Sequence, residues 1–224
     1  MNILQSLQHA EKLALQLFKE IEDRGLIVAG KSESELNTEI FQIAKTSFGI
    51  EKFWHKRIVR AGKNTLLPYR KNPPDLILQK NDILFFDFGP VFEDWEADIG
   101  KTYVLGNDET MLKLAKDVES IWQEVRRHYL QHKETLTGAD LYLYCCEIAK
   151  ANGWEYGNEH AGHLIGKFPH EKILWEERIN YIHPENNLKM SAPDRFGNPR
   201  NWILEIHIVE KEKEIGAFFE QLMV

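Results

Sequence analysis

Residues 82–105 read DILFFDFGPVFEDWEADIGKTYVL. Ile83, Leu84, Phe85, Phe86, Phe88, Val91 and Phe92 form an apolar run of high strand propensity, interrupted at Gly89-Pro90. Glu93, Asp94 and Glu96 mark a polar turn around Trp95, and Thr102-Tyr103-Val104-Leu105 returns as a second strand. Two carboxylates stand in this hairpin, Asp87 and Asp98, eleven residues apart. An aspartate inside a buried strand is costly unless its charge is compensated, and two on facing strands repel each other. A divalent cation held between them removes both costs. The competing reading makes Asp87 the cap of a bend and Asp98 a solvent-facing strand residue, so the remaining chain has to decide.

The chain has 224 residues, 43% hydrophobic and 28% charged, the balance of a soluble globular protein with a core of ordinary size. A net charge of -7 with no Lys/Arg block provides no basic surface for nucleic acid. The first residues carry His9, Glu11, Lys12, Lys19 and Glu20, which breaks the apolar core a signal peptide needs. No segment approaches the ~18 consecutive apolar residues of a membrane span. Cys145 and Cys146 are adjacent, which is neither a metal-binding CxxC nor a disulfide framework. These features predict a cytoplasmic protein without nucleic-acid or membrane partners, a monomer or a homodimer.

Outward from the hairpin, the chain reads as two cycles. Residues 3–24 have apolar positions at three- and four-residue spacing (Leu7, Ala10, Leu13, Ala14, Leu17, Phe18, Ile21), which predicts an amphipathic helix ended by Gly25. Ser32 to Ser34 offer N-caps for a second helix over 35–47, closed by Gly49. Residues 52–62 read as strand then turn, and 64–75, with three prolines, as an irregular loop. After the hairpin come a long helix over 109–131 and another from about 140 to 152, then strand-and-loop text. ELNTEIFQIAK (35–45) aligns without gaps on DLYLYCCEIAK (140–150) at an offset of 105. The order of elements matches as well, so an internal duplication is expected, with halves at about 1–106 and 107–224 of a single domain. A repeated helix–helix–strands unit predicts an α+β fold with helices over one face of an antiparallel sheet.

Other residues stand against their surroundings. His163 in GHLIG and His170 lie seven residues apart, and histidine suits both metal ligation and proton transfer. Glu205 interrupts the apolar strand text WILEIHIV, and Glu220 does the same in GAFFEQLMV. An edge strand with one wet face would accommodate either glutamate singly. Taken together, four carboxylates and an imidazole suit two adjacent divalent ions bridged by carboxylates and a shared water or hydroxide. His207 shares a strand face with Glu205 and reads as a packing or outer-sphere residue, and Trp202, Phe219 and Phe168 as core or pocket wall.

Asp87, Asp98, the GH-x-IG histidine with a second histidine seven residues on, and two strand glutamates, in this order along the chain, resemble the pita-bread metallopeptidases. That superfamily includes methionine aminopeptidases, proline aminopeptidases, prolidases and creatinases. The resemblance covers the whole chain and corresponds to the catalytic domain alone. It implies a curved antiparallel sheet with an internal pseudo-two-fold, and two divalent ions (Mn2+, Co2+, Fe2+ or Zn2+) on Asp87, Asp98, His163, Glu205 and Glu220. It also implies Glu205 as proton acceptor, His170 as a donor to the substrate carbonyl, and hydrolysis of the N-terminal amide bond of a small peptide. The alternatives on the same scaffold are a creatinase-type hydrolase of non-peptide C–N bonds and a non-catalytic binding module.

The departures from the family pattern fall around the substrate. Family members carry a histidine seventeen or eighteen residues before the first aspartate, where this chain has Arg70 and Tyr69. Proline-specific members have a histidine four residues before the GH histidine; here it is Glu159, with His160 one place later. Phe218 stands where an arginine is usual, and Ile206 where a proline is. Tyr69, Arg70 and His160 are therefore the expected substitutes in the substrate shell. Tyr69 would serve as a hydrogen-bond donor and Arg70 as a clamp for a free carboxylate.

Overall fold

The computed structural model describes residues 2–67, 69–169, 178–194 and 197–224. Its helices are α1 (Ile3–Asp23), α2 (Glu33–Phe48), α3 (Glu109–His132) and α4 (Gly138–Ala151). Each begins at a residue that satisfies orphan backbone donors. Capping boxes form at Asn2 with Gln5, Ser32 with Glu35, and Thr137 with Asp140, and the Asp108 side chain accepts from the Met111 amide. Ser32 is the cap of α2, so that helix starts two residues before the sequence expectation. Gly49, left-handed at φ 66°, ends it.

The strands are β1 (Ile58–Ala61), β2 (Asp82–Phe88), β3 (Val91–Phe92), β4 (Trp95–Glu96), β5 (Ile99–Leu105), β6 (Glu155–Tyr156), β7 (Ile203–Glu210) and β8 (Ile215–Leu222). Six of them form one antiparallel sheet in the order β1-β2-β5-β8-β7-β6. The turn expected between β2 and β5 is in fact a small hairpin of its own, β3 paired with β4. Its two-residue loop, Glu93-Asp94, has φ of 48° and 71°, the left-handed geometry that matches strand twist in tight hairpins.

Period-two alternation sorts the strand side chains onto two faces. Leu84, Phe86 and Phe88 of β2 pack into one core with Leu17, Phe18, Ile21, Leu36 and Ile40 of α1 and α2. Leu204, Ile206 and Ile208 of β7 and Ala217 and Phe219 of β8 pack into a second core with α3 and α4, through Val118, Trp122, Val125 and Leu141. The helices thus cover one face. The other face carries Phe85, Asp87, Glu205, His207, Phe218 and Glu220. Its apolar side chains include the small cluster of Ile58, Phe85 and Phe218 and, on β7 and β8, Ile203 and Leu222, which pack with Leu7 and Ile165.

The strand register places the carboxylates. Asp87 opposes Gly100, Gly100 opposes Glu220, and Glu220 opposes Glu205, a single row across the four central strands. Gly100 keeps the row open, because a Cβ there would lie 2.4 Å from the Phe218 ring. β7 and β8 are interior strands, so neither glutamate has the wet face of an edge strand. No helix among the described residues is long and apolar enough to cross a membrane.

Candidate metal centre

At one end of the open face, Asp87, Asp98, His163, Glu205 and Glu220 come together at the floor of a cleft of about 560 Å³. Asp98, Glu205, Glu220 and His163 are 2%, 7%, 3% and 8% exposed. Asp98 lies just before β5, two residues from Gly100, and so on the same face as the carboxylate row.

His163 is held by its backbone. Its carbonyl accepts from the Ile203 amide at 2.8 Å, and Ala161 O accepts from the Glu205 amide at 3.1 Å, so the GH segment runs beside β7. Gly162 is required there: φ is +131°, and a Cβ would fall 2.0 Å from Ile203 O. The His163 Nδ1–H donates to Leu164 O at 2.8 Å. That leaves Nε2 facing Asp98 Oδ2 at 3.2 Å and Glu220 Oε1 at 3.8 Å.

A second histidine enters the cluster that sequence reasoning passed over. His55 precedes β1, and its Nε2 lies 3.0 Å from Asp98 Oδ1 and 3.5 Å from Asp87 Oδ1. The pairing of Ile58 with Asp87 carries the residues before β1 toward the aspartates. A usable signal was present: the offset of 105 that aligns the two helices also superposes His55 on His160, since 160 − 55 = 105. Trp54 packs edge-on against both His55 and His163, at centroid distances of 4.4 and 5.3 Å.

Of the expected substrate residues, His160 reaches the cluster, with Nδ1 2.9 Å from Glu205 Oε1. Asn158, also unforeseen, donates to Glu205 Oε2 at 3.2 Å. Tyr69 lines the cleft, but its hydroxyl accepts from the Lys56 amide at 2.9 Å and its ring lies against His55. It is therefore His55, and not Tyr69, that meets the aspartates. Arg70 sits at the cleft mouth, 3.5 Å from Glu159. His207 is turned away from the cluster, bonded through Nε2 to Thr65 O at 2.8 Å. Trp202 and Phe219 are core. His170 lies outside the described residues.

On the protein's own charges, burial and the neighbouring carboxylates push Glu220 well above the ordinary carboxyl range. Burial likewise raises Asp87 to about 7, against the pull of His55. Burial also pushes Asp98 up, but the flanking His55 and His163 outweigh it and hold that group below its usual value. Burial alone would lower both imidazoles; Asp98 and the carboxylates around it instead raise each to about 9. Glu220 Oε2 is buried with no hydrogen-bond partner among the described residues. Crowded carboxylates, an orphaned oxygen and ring nitrogens aimed inward are what a divalent cation satisfies. Among the described residues, two groups have their donor atoms close enough to share an ion: Asp98, His163 and Glu220, and His55, Asp87 and Asp98.

The fold is the pita-bread fold, with a TM-score of 0.76 to a prolidase from Thermococcus sibiricus (21% identity, covering 98% of this chain and 55% of that one). A methionine aminopeptidase from Thermotoga maritima scores 0.67 at 18% identity, covering 97% and 90%. The chain belongs to metallopeptidase family M24, whose model matches residues 5–224. Among curated relatives it is 30% identical over 141 residues to a putative Xaa-Pro aminopeptidase of Mycoplasma pneumoniae, which covers 57% of this chain and 38% of that protein. It is 26% identical over 160 residues to an Xaa-Pro dipeptidase of Pyrococcus horikoshii, covering 68% and 44%. The matched region thus spans less than half the length of these relatives.

Proposed function

We propose that the chain is a metal-dependent peptidase of the aminopeptidase or dipeptidase type, cleaving the N-terminal amide bond of a short peptide. The observation that carries this reading is the row Asp87, Glu220, Glu205, joined by Asp98 and His163, at the floor of an open cleft in an M24 chain. Asp87, Asp98, His163, Glu205 and Glu220 are the residues that would hold the ions. Two divalent ions, when bound, would supply charge neutralisation and Lewis acidity toward a carbonyl oxygen and a water.

The chain's own groups supply the rest. Glu205 takes the proton of the attacking water and returns it to the leaving amine. His160 and Asn158, bonded one to each Glu205 oxygen, hold that carboxylate in a single orientation. His170 would donate to the carbonyl oxygen as negative charge develops there, a role proposed from the family resemblance. Tyr69, Arg70 and Tyr181 wall the cleft where a peptide enters.

The test is hydrolysis of a panel of di- and tripeptides, with and without proline at the second position, by protein supplied with Mn2+, Co2+ or Zn2+. Creatine and other amidino compounds serve as the comparison. Release of an N-terminal residue that EDTA abolishes, and that Glu205→Gln lowers by ~10² or more, is the expected outcome. Metal-dependent cleavage confined to the amidino compounds would replace the peptidase reading with a creatinase-type one.

A further inference from the structure

His55 is built in the same way as His163. In both, Nδ1–H donates to the carbonyl of the next residue at 2.8 Å: Lys56 O for His55, Leu164 O for His163. In both, Nε2 is left facing buried carboxylates. A ring whose outer nitrogen is fixed by a backbone carbonyl presents the other as a preoriented ligand. The two rings divide Asp98 between them, Oδ1 toward His55 and Oδ2 toward His163.

The position of His55 is prepared on every side. A Cβ on Gly89 would lie 2.3 Å from both His55 Cδ2 and Trp54 Nε1, so only glycine leaves room for the ring. The Trp54 amide donates to Gly89 O at 2.9 Å, and Trp54 Nε1 donates to Ala97 O at 3.1 Å. Lys56 ties the facing loop down through its amide on the Tyr69 hydroxyl and its Nζ on Asn72 Oδ1 at 2.7 Å.

We propose that His55 is itself a metal ligand, so that each of the two ions is held by one imidazole, with Asp98 shared between them. This rests on the metal-dependent reading above. It adds a sixth ligand to the five that the family resemblance implies, and makes the two positions alike: His55 with Asp87 and Asp98, His163 with Asp98 and Glu220. A nitrogen donor in both positions favours borderline ions over hard, oxygen-seeking ones such as Mg2+ or Ca2+.

The experiment loads metal-stripped protein with two equivalents of Co2+. Bound cobalt is measured by elemental analysis, and exchangeable hyperfine-shifted proton resonances are counted by NMR. A coordinated imidazole whose Nδ1–H is kept from water by a carbonyl gives one such resonance. Two are expected in the wild type. His55→Gln should lose one of them and weaken one of the two binding steps by about 10- to 100-fold in calorimetry. Gly89→Ala, which crowds the ring without changing any ligand, should lose the same resonance. A single resonance in fully loaded wild type overturns the assignment and needs no variant to fold. So do two resonances that both survive His55→Gln. Failure of the wild type to retain cobalt overturns the metal reading itself, and this inference with it.

Discussion

Arg70 and Glu159 meet at the cleft mouth with side chains 68% and 66% exposed. A pair so exposed contributes only about 0–1 kcal/mol, so an incoming carboxylate can take Arg70 over with a bidentate fork. Arg70→Ala should therefore raise KM for a dipeptide about tenfold, the worth of one charge-assisted contact, and leave the C-terminally amidated substrate nearly unchanged. Equal effects on the two substrates would leave Arg70 as surface. The residues that were legible in the sequence are those that break a local rule: Asp87, Glu205 and Glu220 are charges within apolar strand text. His55 breaks no such rule. It is one more residue of the strand-then-turn stretch 52–62 until the pairing of β1 with β2 brings it to the aspartates, and that is long-range information. Asn158 was hidden for the same reason, since its contact with Glu205 spans 47 residues.

The four helices were readable to within about two residues because caps and apolar periodicity are local signals. The β3–β4 hairpin was not, because Glu93-Asp94 adopts a left-handed turn without the glycine or asparagine that usually announces one. The caps also bear on the duplication. Ser32 and Thr137, and Glu35 and Asp140, stand at the same offset of 105 as the aligned helices. In the sheet, β1, β2 and β5 are followed in mirrored order by β8, β7 and β6. We propose that the two halves descend from one helix–helix–strands unit. Each cap is also a stability element in its own right. Ser32→Ala and Thr137→Ala should each cost about 1 kcal/mol in chemical denaturation. They share no partner, so the double variant should match the sum to within ~0.5 kcal/mol. A clear excess over that sum would mean that the two helices are coupled more closely than their separate cores imply.

Across the whole molecule, the first helix is fastened to the last strand by Glu11, whose carboxylate accepts from the Leu222 amide at 2.7 Å. Burial raises this carboxyl to about 7, against the Leu222 amide and Arg126. Because the folded state holds the proton more tightly than the unfolded chain, its stabilising contribution is complete below about 4.5 and is lost as pH rises through about 7. Glu11→Gln keeps the acceptor and removes the titration, so thermal melts of variant and wild type should diverge over that window, the variant being the more stable at the upper end. Parallel profiles would show that Glu11 does not titrate there. The carboxylate cluster poses the same problem on a larger scale in a chain of net charge -7. Glu220 and Asp87 are both pushed toward protonation, so the fold is strained by its own site unless cations are bound. Mn2+ at about 100 times its dissociation constant should add roughly 2.7 kcal/mol, which in a chain of this size raises Tm by about 5–11 °C over EDTA-treated protein. Glu220→Gln separates this effect from ordinary packing. It deletes a carboxyl whose ionisation burial and its neighbours disfavour, and one ligand with it, so it should raise Tm in EDTA and blunt the rise with Mn2+. A side chain that merely packs would shift both melts in the same direction. An identical wild-type Tm with EDTA and with Mn2+, on protein shown to be metal-stripped, would mean that the cluster binds no ion strongly enough to matter.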